Sequence, residues 1–413
     1  MSTSRSRRRA RTLHRTVVSA AAIATTAGLL AVTPAGAAPS GPGHTGRSAT
    51  AKAEKVTAKT AKKAVKKVTK KAPAKKAPAK KAARPDAAGF TPVRTLTGDV
   101  MAMTSTAKGQ LWIAARGADD KLVLQHKDGA RWRTHRMPMQ VSPHDDVELH
   151  GSARGDVWMV AAGTLWHYTG SRWQKVSLPA GTTATAVYDV AGRDAYVGLR
   201  GDVRTTGVYT LRGSRWISHG RPDDGDHPYP PAWHPTDLRV ADGKLFGNWM
   251  GRSSSAAQWQ NSFAYEGGTW TNLFQTHFIG GGSYATLGAW LVPDATTQIV
   301  MGSGSSSSDM PWYPTCTMWT KAEGEKSCTS QWATGAAALL RGGRVVVGGM
   351  DYQHPAQSKV EATFGIRTRD GGERLISGDP GDRTVAMAVE PGTDIAWAAT
   401  RTGSVTTLQN WKG

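Results

Sequence analysis

Beyond residue 88 apolar and polar positions alternate in short runs, as in Leu165-Trp166-His167-Tyr168. A period of two is that of a strand. A tag follows many of these runs: a turn, Gly, two residues, then Trp. It occurs at Asp128-Gly129-Ala130-Arg131-Trp132, Thr169-Gly170-Ser171-Arg172-Trp173, Arg212-Gly213-Ser214-Arg215-Trp216 and Glu266-Gly267-Gly268-Thr269-Trp270, with a degenerate copy at Asp370-Gly371-Gly372-Glu373-Arg374. Gly supplies the positive φ of a hairpin turn, and Trp opens the return strand. A second apolar run marks the same units: Gln110-Leu111-Trp112-Ile113, Asp156-Val157-Trp158-Met159, Asp194-Ala195-Tyr196-Val197, Lys244-Leu245-Phe246, Gln298-Ile299-Val300-Met301, Arg344-Val345-Val346-Val347 and Asp394-Ile395-Ala396-Trp397. The starts lie 38 to 54 residues apart. One four-stranded propeller blade needs roughly 40–50 residues. The pattern therefore predicts an all-β fold, a single seven-bladed β-propeller over residues 88–413.

The last blade is one strand short. It offers Thr384–Val389, Asp394–Ala399 and Val405–Leu408 before the chain reaches Gly413. The missing outer strand is expected from Phe90-Thr91-Pro92-Val93-Arg94, which imitates Trp173-Gln174-Lys175-Val176-Ser177 in register. Pro92 suits an outer strand, where one side needs no N–H donor. Pairing the termini closes the ring and hides an open edge.

These repeats resemble the secreted bacterial propellers of the kelch and Asp-box type, across the whole region from Phe90 onward. Thr368-Arg369-Asp370-Gly371-Gly372-Glu373 matches the first part of an Asp-box, and Arg374-Leu375 replaces its usual Thr-Trp ending. In that family the box is a structural turn, so the resemblance implies a fold and no activity.

Charge changes the picture at the other end. Residues 1–84 hold 21 of the 52 lysines and arginines but one acid, Glu54, leaving 31 basic and 30 acidic residues for the rest. Of the formal charge of +21, +20 belongs to this segment, so it is no argument for a nucleic-acid-binding propeller. Arg5 to Arg15 carries six arginines, Val17 to Val32 is mostly apolar, and Ala35-Gly36-Ala37 is a small-x-small site. Residues 1–37 read as a secretory signal peptide. The apolar run is too short for a membrane span of about 20 residues. Residues 38–87 form a Lys/Ala/Pro-rich linker with no apolar face to bury, interrupted by Pro73, Pro78 and Pro85, and are expected to be disordered. Such a tail either adheres to polyanions, such as cell-wall polymers or extracellular nucleic acid, or serves as a soluble spacer. The expected location is extracellular, associated with the cell wall, and the expected state is a monomer. Secretion makes a disulfide between Cys316 and Cys328 the natural reading of the two cysteines, which flank a hairpin in the fifth blade.

In a blade with strands A to D counted outward from the axis, the A–B and C–D turns share one face. The B–C loops and D-to-A crossings share the other. The long irregular loops of blades three to six fall on that second face and carry aromatics, Trp233, Trp259, Trp312, Tyr313 and Tyr352, with His354 nearby. Aromatic rings stack on the apolar faces of sugars, so these six residues are the candidate ligand-binding set for a polysaccharide or glycoconjugate. Some must instead plug loops onto blades. The crossing that holds Asp223, Asp224 and Asp226 could ligate a divalent ion, but its spacing is far from an EF-hand. No metal or cofactor is assigned. Carboxylate and histidine pairs occur in these loops, yet no nucleophile elbow, zinc motif or phosphate loop appears, and no catalytic residue is assigned. The reading is a secreted, non-catalytic, lectin-like propeller. The alternatives are a polysaccharide lyase or glycoside hydrolase, and an extracellular protein-binding scaffold.

Overall fold

The computed structural model describes residues 89–413 apart from 192–193, 224–232, 253–257, 280–283, 306–312, 329–331, 352–361, 369–371, 377, 380 and 382. The expected signal peptide and linker lie outside the described residues. The only described helix is a single 3₁₀ turn at Arg341–Gly343. No described helix is long and apolar enough to cross a membrane.

Seven antiparallel four-stranded sheets carry the chain. Blade 1 runs outward as Asp99–Ala107, Gln110–Arg116, Lys121–Asp128 and Arg131–Gln140, and the next five blades repeat this order. Blade 7 contains Arg383–Val389, Ile395–Thr402 and Val405–Lys412, and its outer strand is Thr91–Leu96 from the other end of the chain. Thr91 pairs with Asn410 and Leu96 with Thr406, with a bulge between Pro92 and Arg94. Just before this strand, Phe90 stacks on Phe364 at 3.9 Å between ring centroids and packs near Trp411. The seven blades and the closure through the termini are both as the pattern predicted.

A blade buries both faces against its neighbours, so its second strand reads as a continuous apolar run rather than an alternating one. Leu111, Trp112, Ile113, Ala114 and Ala115 are all fully buried, as are Val345–Val347. The core accordingly divides among the seams. One cluster joins blades 1 and 2 through Trp112, Leu124, Val157 and Met159. Another joins blades 7 and 1 through Trp397, Leu408, Leu111 and Ile113.

The Gly-x-x-Trp tags are third-to-fourth-strand hairpins. Gly129, Gly170, Gly213 and Gly267 all hold positive φ there. Their tryptophans reach back to the preceding blade. Trp216 Nε1 donates to Ser177 O at 3.2 Å, and Trp270 Nε1 donates to His219 O at 3.0 Å. Trp132 of blade 1 lies under the Arg94 guanidinium, 4.4 Å from the ring centroid, and Arg94 belongs to the outer strand of blade 7. The tag thus ties neighbouring outer strands together. Asp370 and Gly371 of its degenerate copy lie outside the described residues.

Cys316 and Cys328 form a disulfide across the outer hairpin of blade 5, with Cα atoms 5.0 Å apart. The Cys328 N–H also donates to Cys316 O at 3.0 Å. Closing so short a loop contributes about 3 kcal/mol in the chain-entropy account.

Candidate functional site

The inner strands of the seven blades surround an axial channel of about 1040 Å³. An inner strand has no sheet partner on the axial side, so its free N–H groups need other acceptors. On blades 2 and 3 side chains supply them. Glu148, His150 and Ser152 alternate along the inner strand Val147–Ala153, and a period of two turns all three toward blade 3. Glu148 Oε2 accepts from Val187 N at 2.7 Å, and His150 Nδ1 accepts from Asp189 N at 2.9 Å. In return Asp189 Oδ2 accepts from Ser152 N at 2.8 Å and from Ser152 Oγ at 2.5 Å. Because its Nδ1 is an acceptor, His150 carries its proton on Nε2. Burial and the nearby Arg239 charge push its pKa down to about 3.

Arg239, on the inner strand of blade 4, is the cation of this wall. It donates to Asp237, to Leu238 O at 2.7 Å, and approaches Glu148 Oε1 at 3.9 Å. Its guanidinium lies 5.9 Å from the ring centroids of both Tyr188 and Trp290. Two carboxyls thus share one guanidinium. Burial, then the Asp237 charge, pushes Glu148 well above the usual carboxylate range, and burial also raises Asp237. Glu148 keeps 23% of its side-chain surface accessible because its open side is the channel itself.

The mouth on the B–C face has a second charged corner, at the junction of blades 7 and 1. Asp99 Oδ2 accepts from Arg116 Nη2 at 2.7 Å, and its Oδ1 lies 3.1 Å from Arg401 Nη1. The Arg116 hydrogen bond is the main reason the Asp99 pKa is lowered. Arg383 adds a third guanidinium nearby. It lines the channel, is exposed, and makes no hydrogen bond or ion pair among the described residues.

The sequence-derived candidates fall differently. Trp233 is 7% exposed and packs edge-on against Phe263 at 5.5 Å, inside the core between blades 3 and 4. In this position it is a packing plug, with no ring face open to a ligand. Trp259 is half-buried against the same cluster, at the start of the third strand of blade 4, hence on the B–C face. The backbone of Tyr313 starts the third strand of blade 5, at the same end of its blade. Trp312, Tyr352 and His354 lie outside the described residues, as do Asp224 and Asp226. Asp223 is exposed at the edge of that segment. Among the described residues no group of three or more potential ligands could hold a metal ion.

Sequence reasoning looked to loops and missed the inner strands. The signal was present in Glu148-Leu149-His150-Gly151-Ser152 and Asp237-Leu238-Arg239, polar residues alternating inside strands that must line an axis.

No protein-family profile matches the chain, and no curated protein matches it. Solved structures do. YCF48 from Cyanidioschyzon merolae superposes with a TM-score of 0.50 at 11% identity, covering 79% of this chain and 99% of that one. The C-terminal WD40 domain of Sif2 gives a TM-score of 0.47 at 9% identity, with 79% and 99% covered. At such identities the likeness is one of fold alone.

Proposed function

We propose that this chain is a secreted, non-catalytic, lectin-like propeller of the kelch or Asp-box type, binding a polysaccharide or glycoconjugate as a monomer. The ligand sits over the axial mouth of the B–C face. The observation that carries the reading is the mouth itself. It is an open cavity of about 1040 Å³ edged by hydrogen-bonding groups at Asp99, Arg116 and Arg401 and by the exposed Arg383, with Trp259 at the same end of its blade. Pockets with a few convergent polar groups are the usual seats of small polar ligands. Secretion is supported by residues 1–37 and agrees with the disulfide.

The carboxyl pair favours binding over glycoside hydrolysis. Glu148 and Asp237 both stand on one guanidinium, Asp237 bonded to Arg239 and Glu148 3.9 Å from it, whereas the two carboxyls of a glycosidase flank the scissile bond about 5–9.5 Å apart. Their partners are backbone amides and Arg239, which makes them parts of the wall.

The test uses two variants on a glycan array, with melting temperature as control. Arg383→Gln should change stability little, since among the described residues the guanidinium makes no hydrogen bond or ion pair, and should weaken glycan binding about tenfold, the worth of one charge-assisted hydrogen bond. Trp259→Ala should weaken binding by about 1–3 kcal/mol if its ring stacks on sugar. Binding unaffected by both changes, or no ligand on any panel, overturns the lectin reading.

The basic segment is proposed to add attachment to polyanionic surfaces. Removing residues 38–84 should abolish salt-sensitive retention on heparin while the melting temperature stays the same. Steep salt-dependent retention by the shortened protein would place the polyanion site on the propeller instead.

A further inference from the structure

Two blades carry the same Trp–His pair with one difference. In blade 2 Trp158 lies opposite His167, their rings stacked at 3.8 Å. In blade 1 Trp112 lies opposite His126 in the matching register, also stacked at 3.8 Å. Two residues before each Trp, the repeat diverges. Blade 2 has Asp156, whose Oδ1 is 2.6 Å from His167 Nε2. Blade 1 has Gln110, whose amide turns away to Asp128 and Thr106. So His167 has a carboxylate on its Nε2 and His126 has none.

The surroundings of His126 sharpen the contrast. His126 is 4% exposed, and neither ring nitrogen has a hydrogen-bond partner. The box around it is made of Trp112, His135, Tyr168 and Trp173, the last two from blade 2. His135 lies 6.5 Å from His126 and its Nε2 is likewise unpaired. The charged groups facing the box are few. Asp128 on the same strand is held by Arg154 at 2.5 Å. Arg133 stands on the outer strand beside His135, and Arg172 and Lys175 flank Trp173 at the surface. Asp128 is the one acid, and Arg133, Arg154 and a charged His135 all oppose a proton on His126.

We propose that His126 and His135 form an acid-sensing box in the seam between blades 1 and 2, closed while both rings are neutral and loosened when either is protonated. His167, the other Trp-stacked histidine, differs in having its own acid, Asp156. Burial pushes His126 down to about 4, and burial followed by the Arg133 charge lowers His135. A folded-state pKa below the unfolded value of 6.5 means the open form binds more protons. The seam therefore holds fully above pH 6.5 and weakens as pH falls toward 4.

The test is residue-resolved amide exchange on the full chain from pH 7 to pH 4.5, corrected for intrinsic rates. For His126 alone, opening of the seam at pH 4.5 should be favoured on the order of 50-fold. Protection in Leu111–Ala115, Leu122–His126 and Leu165–Tyr168 should fall by that factor relative to Val345–Val347 and Ala396–Ala399. Gln110→Asp, which gives His126 the partner found in blade 2, should keep the protection. His126→Phe, which keeps the stack and removes that titrating group, should recover the His126 share of the fall and leave what His135 contributes. A parallel NMR titration of the wild-type His126 ring should show a pKa well below the ordinary histidine value of 6.5. The proposal is overturned by an equal fall in both variants, by loss of protection in blades 6 and 7 in step with blade 1, or by a His126 that titrates normally with no change in protection.

Discussion

Deleting residues 88–97 should give a protein that no longer unfolds in one transition and that associates at micromolar concentration. The reason is what the Thr91–Leu96 strand covers. It pairs with Val405–Lys412, and without it that strand presents an unpaired row of N–H and C=O groups as an edge. The deletion also removes Phe90 and Leu96, which are 4% and 5% exposed. Truncating a buried Phe costs about 3–5 kcal/mol and a buried Leu about 2–5. Together these approach the whole stability of a typical domain, about 5–15 kcal/mol. Arg94 is lost as well, and with it the contact over Trp132 that joins blade 7 to blade 1. Size-exclusion chromatography and urea unfolding check the outcome. Phe90→Ala serves as the milder control and should lower stability by about 3–5 kcal/mol while leaving a monomer. A soluble deletion with one transition and an unchanged midpoint would mean that the ring does not depend on this closure.

The blade count and the closure were legible because each rests on a local signal. A fully buried second strand has to be apolar on both faces, so Leu111–Ile113 or Val345–Val347 stand out in any reading. Pro92 and the missing fourth strand identified the closing segment from sequence alone. The site was less legible for a physical reason. Trp233 looks like a loop aromatic, yet its ring turns inward onto Phe263, and nothing in the sequence records which way a crossing folds. Glu148 and Arg239 lie 91 positions apart and meet only because blades 2, 3 and 4 are brought around one axis. Their strands show alternation, but alternation does not say whether a polar position faces solvent, a neighbouring blade or a channel. The His126 box depends on a difference between two copies of one repeat, Gln110 against Asp156, which becomes informative once the copies are aligned by register.

Replacing Arg239 with Met should cost about 3–5 kcal/mol at pH 7, the price of leaving buried charge without its partner. Glu148 and Asp237 would then face each other with no cation between them. Packing against Tyr188 and Trp290 is largely kept, since Met fills much of the same space and only the charge is removed. The pH dependence distinguishes charge from packing. Both carboxyls already have raised folded-state pKa values, and loss of Arg239 raises them further. A raised carboxyl destabilises the fold above its folded pKa, and the penalty disappears as pH falls through that value toward the unfolded one. His150 acts in the same direction, because Arg239 is one of the causes that hold its pKa down to about 3. The stability gap between wild type and Arg239→Met should therefore narrow from pH 7 to pH 5. Adding Glu148→Gln should recover much of the loss at pH 7. The amide oxygen can still accept from Val187 N, and no second charge is left beside Asp237. Thermal and urea unfolding of the three proteins at both pH values give the answer. A gap that stays constant with pH and is not reduced by Glu148→Gln would show that Arg239 holds the channel wall by its packing on the two rings, and that the carboxyl pair tolerates its absence.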